Sequence, residues 1–575
     1  MKSIKKIIVK SFVLLTLVGV SCNENTFLDE PNPNALTEAS FWKSESHFNS
    51  ALTSVYGALQ YRSVSGSELV QEFVMSDLAG TEPWYRPFPF RNLTYTNGQN
   101  HLSEKWQELY VGIFRANTIL TQLKTVDEDI LDESTKTEIE AQARFLRAFF
   151  YFQLVHTYGG AMIHDEVAQS LEELSKELSS TADVNAQIII PDLEFAMSNL
   201  PETWESAAAG RATWGAATSL LGKVYLYDEQ WPQAASLFKE VIDSGIYSLT
   251  RNIEDNFTHF NEFNEESIFE VNYSFDLNPG NSGFAEDDTS NGGAGAESTT
   301  LSTEVGHIQY GAFNTVLASY NLHEMLVNDE VDPDNSINDG NLESRRMNYT
   351  IAPRNGEGDW YLEPFSEAKA TWGGGQSAYV KKHSNWYHMD GEPVRGRSGI
   401  NFRHIRYADV LLMYAEAVIN ADGDFATAIR YVDMVRSRAG VVTLQQYMDM
   451  NGGMFPQLHV SKQVNGDQPM VTANAQTVLT HIQRVERAIE LCFEGHRYKD
   501  LVRWGIVKEV FDDLRADEIW REANLDITGQ GVAPLFISGR VRPDFSQSSQ
   551  NYKPEEHNYF PIPSGEVLNN PNFNN

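Results

Sequence analysis

The densest set of residues able to do proton chemistry is Glu494, His496, Arg497, Asp500 and Arg503, gathered around a helix-breaking Gly495. His404 and Arg406 stand at the head of an apolar run. A carboxylate and an imidazole, Glu494 with His496, or two carboxylates, Glu494 with Asp500, could act as general acid and base. The same residue types also read as ion pairs tying buried helices together. A second set, Asp332, Asp334, Ser336 and Asn338 at alternate positions with Glu343 at the twelfth place, imitates a calcium loop. Ile337 occupies the position where that loop needs glycine, so a solvated acidic loop is the reading adopted, and no metal or other cofactor is expected. Cys492 falls on an apolar stripe and reads as an inert core thiol. No G-x-S-x-G, H-E-x-x-H, P-loop or cysteine–histidine zinc spacing occurs. A glycosidase would need two carboxylates held apart across a cleft, and among 79 acidic residues no pair is singled out.

The elements that must position these groups read as helical. The stretch from Trp214 to Tyr247 has tetratricopeptide spacing: Leu221 and Gly222, then Tyr225, then Ala234 and Phe238. Gly222 and Ala234 are small enough for two antiparallel helices to approach closely, and the larger residues fill the gap. The proline expected near position 246 is absent; Ile246 stands there. One such pair cannot bury its apolar face alone, so further stacked pairs are required.

Helical periodicity recurs over Ser40–Leu59, from Trp106 to Leu120, over Glu138–Tyr158 and over Pro191–Leu200. Gly159-Gly160 stops the third of these. It returns as one helix over INFRHIRYADVLLMYAEAVIN from Ile400, a second over Asp424–Gly440, and a third segment over Gln483–Trp504. Asp77–Gln99 is aperiodic, with Pro83, Pro87 and Pro89 as rigid corners. From Asn272 the chain turns rich in Gly, Asn, Ser and Asp. Residues 272–400 therefore read as an irregular insertion between two helical parts, 40–271 and 401–575. The predicted fold class is mainly α.

The net charge of −35 argues against nucleic-acid binding, which needs a basic face, and against a polyanionic ligand. Two cysteines provide no disulfide framework. Lys2, Lys5, Lys6 and Lys10 precede a short apolar core, Phe12 to Val20, too short to span a bilayer. Residues 1–21 read as an export signal. Cys22 after Ser21 is similar to a bacterial lipoprotein cleavage site, although Gly19 stands where Leu is usual. Acylation of Cys22 would anchor the chain at about 0.8 kcal/mol per buried CH2, with 22–39 as a tether.

Four segments, in order along the chain, resemble the RagB/SusD family of nutrient-uptake lipoproteins of Bacteroidetes. They are AQARFLRAFFYFQLVHTYGG, FRHIRYADVLLMYAEAVIN with DMVRSRAG, ERAIELCFEGHRYKDLVRWG, and YFPIPSGEVLNNPN. The resemblance implies four tetratricopeptide-like helix pairs with an irregular part on one side. It implies a non-enzymatic lipoprotein on the outer membrane, facing outward. Such a protein sits as a lid over a SusC-like TonB-dependent β-barrel transporter and delivers glycans, or in some members peptides. It also favours ion pairs over catalysis for the Glu494 cluster.

Sugar rings stack on flat apolar faces, and their hydroxyls take amide, carboxylate and Arg partners. The candidates are Trp84 and Tyr85 in the first long loop and Trp360, Trp372 and Trp386 in the insertion, with Asp77, Arg86 and Asn97 as polar partners. The resemblance places glycan sites in these two regions. Trp106, Trp214 and Trp504 lie on helical stripes and read as core. A peptide-binding version of the same architecture, a secreted hydrolase and a protein-only adaptor are the competing readings.

Overall fold

The computed structural model describes residues 41–277, 297–354, 356–365, 377–387, 398–525 and 540–574. The export segment, Cys22, the tether and Trp372 lie outside these residues. The helices of the main stack are α1 Glu45–Gly57, α2 Asn100–Leu123, α3 Glu133–Tyr158, α4 Ile190–Asn199, α5 Trp214–Tyr227, α6 Trp231–Asp243, α7 Tyr407–Asp422 and α8 Phe425–Ala439, and a further long helix, Val507–Ala523, follows them. They stack as a series in which each packs on the next: α1 on α2, α2 on α3, α3 on α4, and so on to α7 on α8. Helix α6 packs on α7 although more than 160 residues separate them in sequence. The intervening irregular chain is therefore an excursion from a continuous helical stack.

Local chemistry sets the helix ends. Asp132 caps α3 by accepting from Thr135 N at 2.8 Å, and Gly159 closes it with φ 77°. The turn between α7 and α8 uses the same devices back to back. Gly423 ends α7 with φ 71°, and the Asp424 side chain accepts from Thr427 N to start α8. Leu221, Ala234 and Phe238 are buried between α5 and α6. A Cβ on Gly222 would lie 2.7 Å from the Phe238 ring. Gly222→Val is therefore expected to destabilise the fold by about 1–3 kcal/mol. Gly57→Ala, where nothing lies within 4 Å of the added Cβ, should be neutral or slightly stabilising. The urea midpoints of the two variants check this.

The expectation of a single helix from Ile400 is corrected. Phe402–Arg406 is a strand that pairs antiparallel with Ser267–Val271, and the helix begins only at Tyr407. All five strand residues are buried, so both faces are covered and no polar alternation marks the strand. This ladder closes the neck of the excursion. The Gln483–Trp504 segment is also broken: helix stops at Glu490, Phe493 and Gly495 take positive φ of 60° and 82°, and helix resumes over Arg497–Arg503. Within the excursion, a four-stranded antiparallel sheet takes Ala79–Gly80 from the first long loop. Its order is Ala79–Gly80, Leu317–Ala318, Ala378–Val380, Ile351–Pro353. The two candidate ligand regions are thus parts of one sheet.

The Glu494 cluster is a lattice of buried ion pairs. Arg406 donates to Glu494, Glu266 and Glu490 at 2.7–2.9 Å. Arg438 bridges Glu266 and Glu490, while Arg346 and Arg436 bridge Asp329 and Glu486. Lys382 reaches Glu494 at 2.9 Å. Beside this lattice, Lys223, Arg487 and Arg503 neutralise Asp409, Asp500 and Glu416. Burial opposes the charged form, but Arg406 and its neighbours still hold Glu266, Glu490 and Glu494 down at about 2. Burial, then the Lys223 charge, lowers His496 to about 4. Glu266, Glu490, Glu494 and His496 are all shifted away from neutral pH, so these positions suited to acid–base work hold the scaffold together. The Cys492 thiol is buried and pushed up to about 11.

Candidate functional site

The first long loop enters the sheet at Ala79–Gly80 and then projects Trp84. Its indole is 73% exposed, and the Tyr85 ring lies 6.0 Å away at 50°. An exposed indole offers a flat apolar face with a polar N–H at its edge. The loop beneath it is fastened on every side. Thr81 Oγ1 donates to Thr315 O at 2.7 Å, and Glu82 pairs with Arg540 at 2.9 Å. Arg86 lies between two carboxylates, donating to Glu68 Oε1 at 2.5 Å and Glu304 Oε1 at 2.8 Å. Gln71 donates to the other Glu68 oxygen and Thr315 to the other Glu304 oxygen. Burial raises Glu304, whereas Arg86, working against burial, lowers Glu68. Two carboxylates pushed apart in this way resemble a glycosidase pair, but all four oxygens are engaged in hydrogen bonds. Both carboxylates thus act as the jaws of a clamp on Arg86.

The neighbouring loops continue the rim. Ile308 (57% exposed), Phe313 and Leu362 present apolar surface. Leu362 is at the tip of the hairpin Asp359–Trp360/Glu363–Pro364, where Tyr361 and Leu362 both have positive φ, 54° and 62°. Tight hairpins usually place Asn-Gly there, and bulky residues are strained by about 1–3 kcal/mol each. Packing secures the turn: Tyr361 stacks on Tyr310 at 4.1 Å and accepts from His307 N at 2.7 Å.

The remaining candidates are dispersed. Asp77 is 2% exposed, and both its oxygens accept from Arg497, at 2.7 and 2.8 Å, so it serves the scaffold. Trp360 is fully buried among Leu317, Ala352, Tyr361 and Tyr379. Trp386 is half-buried, with Lys381 Nζ 3.7 Å from its ring centroid and Tyr349 5.7 Å away. Asn97 is exposed, and its carbonyl accepts from Ser564 N at 2.9 Å, beside the C-terminal tail. Of the predicted set, Trp84, Tyr85 and Arg86 are together at an exposed rim. Glu68, Glu304 and the Tyr310–Tyr361 stack were not singled out by sequence, because their partners are distant in the chain and no local spacing marks them. Among the described residues, no three His, Cys, Asp or Glu side chains form a metal-holding group. Asp332 accepts from Asp334 N and Gln446 Nε2.

The family model described as "SusD family" matches residues 266–575. The chain belongs to the SusD family. A second model of this group, described as "Starch-binding associating with outer membrane", matches residues 26–226. SusD-like protein P25 of Formosa agariphila is 25% identical over 88% of this chain and 90% of its own length. Among solved structures, a SusD superfamily protein from Bacteroides vulgatus is 26% identical, with TM-score 0.70 over 92% of this chain and 98% of that one. A laminarin-binding SusD-like protein is 25% identical, with TM-score 0.64 and the same coverages. The SusD family assignment thus spans both helical parts and the excursion between them.

Proposed function

We propose that this protein is a cell-surface lipoprotein that captures an oligosaccharide and passes it to a SusC-like TonB-dependent β-barrel in the outer membrane. The observation that carries the reading is Trp84, an exposed indole on a loop made rigid by a sheet, an Arg–carboxylate clamp and Thr81. A rigid aromatic face binds a sugar ring without first having to be ordered. A laminarin-binding relative of the same fold supports a sugar ligand. The protein acts by binding: the nearest carboxylates are spent on Arg86, so ligand leaves intact. Trp84 and Tyr85 stack on the sugar, and Arg86 anchors the loop with its guanidinium edge at the rim.

Charge narrows the ligand. At the described rim the exposed guanidiniums of Arg86 and Arg540 are already paired with carboxylates buried beneath them, Glu68 and Glu304 for the first and Glu82 for the second, so these cations are neutralised before any ligand arrives. Neutral glycans should bind, and sulfated or uronate-rich ones should not. Affinity electrophoresis of the soluble chain through neutral and anionic polysaccharides tests this. Retardation by a neutral class supports the reading; retardation by anionic polymers alone contradicts it. Retardation by none, with peptides co-purifying, would replace sugar by peptide. For the anchor, Cys22→Ser is expected to move the protein from the membrane fraction to the soluble fraction; retention on the membrane would contradict lipidation.

A further inference from the structure

The exposed indole of Trp84 has a counterpart in Phe260, whose ring is 69% exposed. Tyr387 meets Phe260 at 5.4 Å and 65°, Trp386 follows Tyr387 at 5.9 Å and 77°, and Tyr349 follows Trp386 at 5.7 Å and 45°. Four rings from three separate stretches of chain therefore form one continuous strip. Tyr349, Trp386 and Tyr387 are half-buried in it, and Phe260 stands proud.

Polar bonds hold the strip in place. Tyr387 Oη accepts from His259 N at 3.0 Å, which fixes the residue before Phe260. Lys381 Nζ lies 3.7 Å from the Trp386 ring centroid and donates to Asp359 O at 3.2 Å. Arg345 lies over Tyr349 at 5.0 Å and pairs with Glu254 at 2.6 Å. Rings ordered in advance lose little freedom when a ligand lands on them.

The register of the four-stranded sheet relates this strip to Trp84. Gly80 pairs with Leu317, Leu317 with Tyr379, and Val380 with Ile351, all antiparallel. The chain leaves Gly80 toward Trp84 at one end of the sheet. At the same end it leaves Val380 toward Trp386 and Tyr387, and enters Ile351 from Tyr349. Ile308 and Phe313, which precede Leu317, arise at that end too. The strand before Trp84 and the strand after Tyr349 are the two edges of the sheet, three strand spacings or about 14 Å apart. The two aromatic surfaces thus stand at opposite corners of one end of the sheet.

We infer that the strip of Phe260, Tyr387, Trp386 and Tyr349 is a second stacking platform for the same ligand, so that the preferred ligand is an extended neutral glycan reaching across the sheet end from Trp84, rather than a mono- or disaccharide. This rests on the glycan reading above. Apolar ring faces edged by a tyrosine hydroxyl match the C–H faces and hydroxyl edges of sugar rings. Arg345 beside the strip is already paired with Glu254, as Arg86 is paired at the rim, so neither platform favours an anion. Once one end of a chain is held at Trp84, contact at Phe260 becomes intramolecular.

Calorimetric titration tests this, with the neutral polysaccharide that retards the protein cut to a ladder of oligosaccharide lengths. Wild type should bind short oligosaccharides through Trp84 and gain about a hundred-fold in affinity once the chain spans both platforms. Phe260→Ala removes an exposed ring and opens no cavity, so its thermal midpoint should match wild type. It should bind the short oligosaccharides as wild type does and lose most of the gain with length. Affinity in wild type that does not step up with length would overturn the second platform and leave the glycan reading standing. A step that survives in Phe260→Ala, or equal weakening of short and long ligands, would do the same. Binding at no length would overturn the glycan reading and this inference together.

Discussion

Trp84→Ala is expected to abolish measurable glycan retention while leaving the fold intact. The indole is 73% exposed, so its removal opens no cavity, and stability should change by less than about 0.5 kcal/mol. Its loss removes the largest and most exposed flat face that the described rim presents to a ligand. Central aromatic anchors are worth about 2 kcal/mol or more, so affinity should fall at least about thirty-fold. Trp84→Phe, which keeps a smaller flat face, should retain part of it. Arg86→Gln is a different kind of test. It leaves Glu68 and Glu304 facing each other without their shared cation, so binding should weaken through loss of loop order. Calorimetric titration with the retained oligosaccharide separates the cases. Unchanged affinity in Trp84→Ala would remove the platform from the account.

Arg406→Ala is expected to be the most destabilising single change outside the apolar core. Its guanidinium meets three carboxylates and the Glu490 carbonyl, and its side chain is 1% exposed. Removing it leaves Glu266 to Arg438, which Glu490 also uses, and Glu494 to Lys382, so the buried set is one cation short, a loss of about 3–5 kcal/mol. That is a large part of the 5–15 kcal/mol typical of a folded protein. Arg406→Lys should not restore the loss, because one ammonium cannot reproduce the fork that spans Glu494 and Glu490. The same lattice sets the acid limit. Glu266, Glu490 and Glu494 are held near 2 in the fold and return to the ordinary carboxylate value when unfolded. Their contribution is complete above about pH 4.5 and is lost as pH falls toward 2. His383, lowered to about 3 chiefly by burial, acts in the same direction from about pH 6.5 downward. Glu108 and Glu518, raised to about 7 by burial, act oppositely and soften the slope. Urea midpoints of wild type at pH 7 and pH 4 should show the net fall.

What could be read in advance depended on sequence distance. The Leu221–Gly222–Tyr225–Ala234–Phe238 spacing is local, and it correctly foretold two helices in close contact at Gly222. The corners at Pro83, Pro87 and Pro89 marked an aperiodic loop, and Trp84 does project from it. The strand Phe402–Arg406 carries no local mark of a strand, because its partner, Ser267–Val271, lies more than 130 residues earlier and both faces are buried. Asp77 looked available because Arg497, which occupies it, is 420 residues away. Trp360 lay in a Gly-rich, polar stretch, yet the strained Tyr361–Leu362 turn folds it inward and exposes Leu362 instead. The charged cluster was visible as composition, and the pairing that makes it a scaffold was visible only in three dimensions.

The most direct measurement is a crystal structure of the soluble protein with the neutral oligosaccharide that retards it. The account predicts an intact sugar chain with one ring lying flat on Trp84 and Tyr85 alongside. Sugar density elsewhere with Trp84 uncovered, or a cleaved product at Glu68 and Glu304, would contradict it.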